Sequence, residues 1–176
     1  GGIQNGGTLI VDNSTISNNS ASFTGGGIAQ INGGSITLTN CLLANNSTAR
    51  DGGALTSQSL GGNNASASIT NCTISGNSGG TFAGAILNIG FGAGTTAQMQ
   101  LTNNTIVGNS NPSQGAVLNA VNAGAATLQT RNNVFANNTP SNVGTLGAAV
   151  TTSLGNNLSS DATGGGGPGD LISTNP

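Results

Sequence analysis

Few side chains in this sequence belong to the types that usually carry out catalysis or bind metals. There is no histidine, and the candidates are Asp12, Asp51, Asp161, Asp170, Arg50, Arg131, Cys41 and Cys72. Cleavage of a polysaccharide needs two carboxylates close together, or an aspartate with a basic partner and often Ca²⁺. The aspartates are scattered along the chain, and Arg50 beside Asp51 is typical of a solvated surface pair. We therefore expect no enzyme active site, no metal and no cofactor.

The composition limits the classes of partner and the cellular locations that can be expected. Charged residues make up 3% of the 176 residues and the net charge is −2, whereas a nucleic-acid surface needs many Lys and Arg side chains. No apolar run approaches the roughly 18 residues of a spanning helix. Gly, Ser, Thr and Asn dominate, and Lys and Glu are missing. We expect a processed piece of a larger exported protein, with no nucleic-acid partner and no membrane span in this piece.

One pattern of residues recurs along the chain. In residues 35–47, Ile36 and Leu38 alternate with Ser and Thr, Asn40 interrupts, and Leu43 resumes the alternation before Asn46. An alternation with period 2 predicts a half-buried strand. The same pattern is found in residues 9–20, 67–78, 99–110 and 128–139.

Three landmarks recur in a fixed order at intervals of 24 to 33 residues. The first is an interior asparagine, called position zero: Asn13, Asn40, Asn71, Asn103, Asn132 and, in a weaker pattern, Asn156. The second is Gly-Gly-Ile or a relative, in residues 1–3, 26–28, 52–54, 84–86, 115–117 and 148–150. The third is an asparagine three places after an apolar residue: Asn19, Asn46, Asn77, Asn109 and Asn138. The sequence therefore predicts an all-β parallel β-helix (a solenoid) of about five to six coils with three short strands per coil.

The repeat also predicts which residues stack inside the solenoid. The inward stacks are Leu9–Ile36–Ala67–Met99–Leu128, Val11–Leu38–Ile69–Leu101–Thr130 and Ile16–Leu43–Ile74–Ile106–Phe135. The outward columns are polar, apart from Ile10 in the first coil. Asparagine tolerates the left-handed backbone of a sharp corner, and stacked amides can form hydrogen-bonded ladders. We expect one ladder at position zero and a second at the next corner, through Asn19 and its equivalents, with the glycine pairs supplying positive φ at the third corner.

Two cysteines fall in the same column, directly after position zero in adjacent coils. Cys41 and Cys72 should both face inward, with Ser14 and Asn104 on either side of them. Their Cα atoms would lie near 4.8 Å apart, which a disulfide permits. Free thiols are the favoured alternative, because adjacent parallel strands align their Cβ vectors side by side.

The segments between landmarks predict loops and a tail. Residues 56–65, 88–96, 111–114 and 141–146 are expected to project as loops. The β-helix is assigned to residues 1–160, and residues 161–176 to a Gly-rich terminal segment in which residues 170–172 add a last short strand. Neither end shows a charged or amphipathic cap in the sequence.

The repeat resembles that of polymorphic outer-membrane proteins and related bacterial surface proteins. The matching pieces are Gly-Gly-Ile at 1–3 and 26–28, Gly-Gly-Ala at 52–54, Ile-x-x-Asn at 74–77 and Phe-x-x-Asn at 135–138. The resemblance covers residues 1–139. It implies a right-handed, pectin-lyase-like β-helix that is exported and that often serves as a passenger or stalk in adhesion. Later coils depart from it, with Gly-Ala-Ile and Gly-Ala-Val in place of the glycine pair.

The function expected from these observations is structural. We expect a non-catalytic rod that acts as a cell-surface stalk, an adhesin passenger or the subunit of a filament. Its partners would be a second rod end to end or the continuation of a longer rod, because an open solenoid end presents unpaired strands. Surface glycans, or host and neighbour-cell proteins bound through residues 56–65 and 88–96, are further candidates. A carbohydrate-binding or polysaccharide-cleaving module is the alternative.

Overall fold

The computed structural model describes residues 1–176 and is an all-β parallel solenoid. The first two coils contain β1 (Ile3–Asn5), β2 (Thr8–Asp12), β3 (Thr15–Ser17), β4 (Ser20–Ala21), β5 (Ile28–Gln30), β6 (Gly34–Thr39), β7 (Leu42–Ala44) and β8 (Ser47–Thr48). The next two contain β9 (Leu55–Ser59), β10 (Ala65–Thr70), β11 (Thr73–Ser75), β12 (Ser78–Gly79), β13 (Ile86–Gly90), β14 (Thr96–Thr102) and β15 (Thr105–Val107). The last two contain β16 (Val117–Val121), β17 (Ala125–Arg131), β18 (Val134–Ala136), β19 (Val143–Leu146), β20 (Val150–Ser153) and β21 (Leu158–Ser159).

Like strands of successive coils form the sheets, and every pairing between them is parallel. Sheet A has the order β1-β5-β9-β13-β16-β19, sheet B β2-β6-β10-β14-β17-β20, and sheet C β3-β7-β11-β15-β18-β21. A short sheet D contains β4, β8 and β12. Six strands per sheet at the spacing of neighbouring strands give a rod of about 25–30 Å. The predicted parallel β-solenoid is therefore confirmed.

The observed register matches the predicted stacks. Ile36 pairs with Leu9 on one side and with Ala67 on the other, and Ile74 lies between Leu43 and Ile106. Twenty-one buried residues, including Phe135, form one continuous core cluster along the axis. Along each strand of sheet B, polar residues on the outer face alternate with the buried residues. A shift in register by one residue would expose the apolar side chains, so this alternation fixes the register.

The corners of each coil are made by residues with positive φ. All six position-zero asparagines, Asn13 through Asn156, have φ between 48° and 58°, which confirms the predicted left-handed corner. The next corner uses the same conformation one residue before the predicted asparagine. Those residues are Asn18, Asn45, Gly76, Gly108 and Asn137. Both corners therefore consist of a left-handed residue followed by an inward-facing residue.

The glycine pairs have a different role from the predicted one. Gly26, Gly27 and Gly53 are absent from the residues with positive φ, although Gly115 has φ 113°. A Cβ atom on Gly53 would lie 2.5 Å from the carbonyl oxygens of Gly84 and Ser78. Glycine is required at these positions because the backbones of neighbouring coils approach too closely for a side chain.

Sheet A replaces most of the predicted loops. Residues 56–59 and 88–90 belong to β9 and β13, and residues 143–146 form β19, whereas residues 60–64, 91–95 and 111–114 lie outside the strands. Both faces of this sheet are covered: Ile86 packs in the main core, and Leu87 and Ile89 belong to a second buried cluster. A strand that is buried on both faces loses the alternation with period 2, which is why the sequence pattern did not reveal it.

The last coil is shifted relative to the prediction. Val143 pairs with Val117 as the sheet A residue, whereas Val150 pairs with Thr127 in sheet B. The assignment of residues 148–150 to the glycine landmark was therefore wrong. Val150 is apolar like the inward residues of the other coils, but it lies on the outer face of this short coil.

Candidate functional site

A ladder of buried asparagines runs along the second corner. Asn46 donates from its backbone N (2.8 Å) and from its Nδ2 (3.1 Å) to Oδ1 of Asn77. Asn77 does the same to Asn109, and Asn109 to Asn138. Asn46, Asn77 and Asn109 are almost wholly excluded from solvent. The structure therefore brings together the set predicted for this corner, from Asn19 to Asn138.

The ladder has a direction. In each step the asparagine of the earlier coil donates and that of the later coil accepts, beginning with Asn19, whose backbone N and Nδ2 bond to Oδ1 of Asn46. One end of the ladder therefore offers acceptors and the other offers donors. At the accepting end, no hydrogen bond within the protein reaches Oδ1 of Asn19.

A second buried ladder lies one residue beyond the predicted one. The position-zero asparagines are exposed and only partly linked: Asn132 Nδ2 donates to Asn103 Oδ1 (3.0 Å), and Asn71 Nδ2 lies 3.4 Å from Asn40 Oδ1. The following residues carry the buried ladder, namely Cys41, Cys72, Asn104, Asn133 and Asn157. The signal was in the sequence, because an inward-facing residue follows each left-handed corner. The ladder expected at position zero is therefore exposed and incomplete, since a left-handed residue turns its side chain outward.

The two cysteines belong to this second ladder as free thiols. The Cys41 backbone N–H donates to Cys72 Sγ (3.3 Å), and the Cys72 N–H to Asn104 Oδ1 (2.8 Å). Burial raises the pKa of Cys72 to about 11. Because the thiolate is the reactive form, we expect Cys72 to be unreactive at neutral pH. Its Sγ is the acceptor for the Cys41 backbone N–H in the ladder.

Two aspartates of the C-terminal segment close the donating ends of the ladders. Asp170 Oδ1 accepts from the Asn157 backbone N (2.7 Å) and Nδ2 (3.1 Å), in the same way that asparagine oxygens do elsewhere in the ladder. In the other ladder Asn138 donates to Asn142 Oδ1, and the backbone N of Asn142 donates to Asp161 (2.7 Å). The expectation that neither end is capped was therefore wrong at this end. Sequence reasoning missed these roles because Asp170 is out of phase with the repeat.

The pKa values of both capping carboxylates are lowered. For Asp170, burial raises the pKa, but hydrogen bonds from Ser153, Asn157 and Gly167 outweigh it. For Asp161, burial likewise raises the pKa and donors that include Thr163 and Asn142 outweigh it. Both groups are held as carboxylates, which is the form that accepts hydrogen bonds from a ladder end.

Residues 161–174 also cover the end of the core. Leu171 forms a parallel bridge with Leu158, so the predicted last strand is present as a single bridge. Gly164 lies against Val143 and Phe135, at a distance that leaves no room for a side chain. Inside the sixth coil the apolar stacks give way to Thr151, Ser153 and Ser159. The interior of the last coil is thus polar, and residues 161–174 cover its end.

The other two carboxylates, Asp51 and Asp12, have different surroundings. Asp51 is buried rather than on the surface, and burial raises its pKa against the opposing effects of Arg50 and Thr24. The expected solvated pair was wrong, because the Arg50 guanidinium instead lies over the Phe23 ring, 4.1 Å from its centroid. Asp12 is exposed and accepts from Asn13 (2.6 Å). No three His, Cys, Asp or Glu side chains come together in a group that could hold a metal.

A short polar column inside sheet A is incompletely bonded. Gln30, Ser57 and Asn88 stack on one another and are fully buried, yet Gln30 Oε1, Ser57 Oγ and Asn88 Oδ1 have no hydrogen-bond partner. One coil further on, Asn88 Nδ2 donates to Asn119 Oδ1 (2.9 Å). The small Ser57 therefore interrupts what would otherwise be a third amide ladder.

The outer face of sheet B carries amide side chains in register. Gln100 pairs with Gln129, and Gln100 Nε2 lies 3.4 Å from Gln129 Oε1. Together with Gln98, Met99 and Thr127 they line a depression in the surface. Amides can both donate and accept hydrogen bonds, which is the chemistry that a ligand rich in hydroxyl groups would require.

The comparisons with known proteins add no family to this description. No protein-family model, no curated protein and no solved structure matches the chain. The structure contains no helix with the length and apolar character that crossing a membrane would require.

Proposed function

We propose that the chain is a non-catalytic rod segment of an exported surface protein, serving as a stalk or an adhesin passenger. The observation that carries the proposal is the position of the asparagine and aspartate side chains, which form hydrogen bonds between coils. Inside the rod, asparagine amides join one coil to the next, and Asp161 and Asp170 are bound to the ladder ends. The chemistry-bearing residues thus hold coils together, which is what a mechanical rod requires. The bacterial origin and the right-handed, pectin-lyase-like class are part of this proposal and rest on the repeat.

The proposal favours a continued rod over a filament of identical chains. A filament built end to end needs two open ends, and the C-terminal segment covers one of them. The first coil, in contrast, leaves β1, β2, β3 and β4 unpaired on their outer edges. These edges support continuation of the solenoid beyond the first coil.

Location is the property to test first. Antibodies against the purified chain are applied to intact and to permeabilised cells of the source organism. The expected result is equal labelling of both, since an exported rod is accessible from outside. Labelling that appears only after permeabilisation would contradict the proposal.

A carbohydrate-binding role is the second candidate, and the glutamine face of sheet B favours it. The test is a glycan array with the unaltered chain and a Gln100→Ala/Gln129→Ala variant, with Gln4→Ala as the control on an exposed glutamine of sheet A. Binding that is lost only in the double variant would support this role. Release of reducing ends from a polysaccharide would contradict the non-catalytic proposal.

A further inference from the structure

The first coil presents an incomplete section of the core. Ile3, Leu9 and Val11 are only partly buried, although they pack against the main cluster. Their partners one coil further on, Ile28, Ile36 and Leu38, are at most 2% exposed. The sixth coil differs, because its inward positions are mostly polar and its end is covered. The apolar face of the first coil therefore requires a partner to cover it. The last coil requires none, because its interior is polar and its end is covered.

The polarity of the asparagine ladder defines what this partner must offer. Four ladder oxygens each accept both a backbone N–H and an amide N–H from the preceding coil, namely Oδ1 of Asn46, Asn77, Asn109 and Asn138. Asn19 Oδ1 is the acceptor without such a donor. A coil that lies parallel to the first and has an asparagine at its second corner would supply both donors.

A second copy of this chain does not meet this requirement. Its first coil would bring another acceptor, Asn19 Oδ1, to the interface. Its last coil has its ladder donors on Asn142 and Asn157 already bonded to Asp161 and Asp170. Neither end of the chain therefore complements the open face.

We propose that the face of the first coil is a docking surface for a further parallel coil of the same repeat, contributed from outside residues 1–176. This coil covers Ile3, Leu9 and Val11 with apolar side chains, and its corner asparagine donates twice to Asn19 Oδ1. The proposal rests on the proposed rod function and identifies the partner of the rod's open end.

The test adds such a coil to the full chain. A duplicate of residues 26–52 placed directly before Gly1 is in register, because Gly1 occupies the column of Gly26 and Gly53. The control carries Asn46→Ala in the duplicate alone. A second extended chain carries a duplicate of residues 1–25 instead. It allows the same measurement if the chain with the duplicate of residues 26–52 does not fold.

We expect the extension to slow hydrogen exchange of the backbone amides in β1–β4 by tenfold or more, and to raise Tm by about 2–4 °C or more. The control should lose part of both gains. Unchanged exchange of these amides in both extended chains would overturn the proposal. So would concentration-dependent association of the unextended chain in light scattering, because a second copy would then occupy the face.

The outcome is independent of the cell-labelling test. A docked coil together with purely intracellular labelling would overturn the exported rod and leave the docking surface standing. Surface labelling without docking of the added coil would overturn the docking surface and leave the exported rod standing.

Discussion

Asp170 accepts two hydrogen bonds from Asn157 at the same oxygen, from the backbone N at 2.7 Å and from Nδ2 at 3.1 Å. This is the arrangement by which Asn133 bonds to Asn157 one coil earlier. The carboxylate therefore takes the place of the next asparagine and ends the ladder. Its second oxygen accepts from Ser153 and Gly167, which holds the C-terminal segment on the last coil.

Replacing this carboxylate should loosen the C-terminal cap. We expect Asp170→Ala to lower the free energy of unfolding by about 1–2 kcal/mol, because Asn157 loses an acceptor while solvent access limits the cost. Urea unfolding followed by circular dichroism measures the change. Asp12→Ala is the matched control at the other end and should fall within about 0.5 kcal/mol of the unaltered chain. Equal effects of the two substitutions would contradict a capping role.

The cap should also respond to acid. The pKa values of Asp161 and Asp170 are lowered on folding, so their contribution to stability is present above the pKa of the unfolded chain, near 3.9. It is lost as the pH falls below that value and through the lowered pKa. Asp51, with a raised pKa, acts in the opposite direction, since protonation relieves its burial cost.

The three aspartates can be separated by comparing variants. We expect Tm measured between pH 7 and pH 2 to fall less steeply below pH 4 in Asp161→Asn/Asp170→Asn than in the unaltered chain. Asp51→Asn should instead make the fall steeper. A double variant with the unaltered acid profile would show that the cap does not depend on charge.

The two kinds of asparagine should differ sharply in their tolerance of substitution. Asn77→Ala removes an acceptor for two donors of Asn46 inside the rod, and we expect a loss of about 1–3 kcal/mol in the free energy of unfolding. Asn71 is an exposed left-handed residue with φ 55°. Asn71→Gly should therefore cost little, whereas Asn71→Val should cost about 1–2 kcal/mol. Chemical denaturation of the three variants gives the comparison, and an equally harmful Asn71→Gly would contradict it.

One substitution should increase stability. Ser57→Asn places an amide between Gln30 and Asn88, whose acceptor oxygens have no partner. If the new side chain donates to Asn88 Oδ1 as Asn88 does to Asn119, we expect a gain of about 1 kcal/mol. Ser57→Val, which adds bulk without a donor, is the control and should be destabilising. A lower Tm for both variants would show that the column has no room for a larger side chain.

The thiols provide a test of burial that needs no substitution. Neither cysteine should react with iodoacetamide at pH 8 in the folded chain, since both are buried and the pKa of Cys72 is about 11. In denaturant without reductant, intact-mass measurement should show two adducts. Two adducts only after reduction would instead reveal a disulfide between Cys41 and Cys72.

Sequence reasoning succeeded where one face of a strand is buried and the other is exposed. In sheet B, Leu38 and Ile69 lie inside while Thr37 and Ser68 lie outside, so the alternation and the register follow from the sequence. Sheet A could not be read in this way. Leu87 and Asn88 are both buried, on opposite faces, so neighbouring residues no longer differ in polarity.

The sequence by itself determined the solenoid, its stacks and its left-handed corners, because these depend on local preferences that recur with each coil. Only the tertiary structure decided that the ladder at the first corner runs through the residue after position zero, that Gly53 is needed for close backbone contact, and that Asp161 and Asp170 close the ladders. Each of these depends on residues of different coils meeting in space. Neither aspartate has an equivalent in the other coils, so the periodicity of the sequence carries no information about their role.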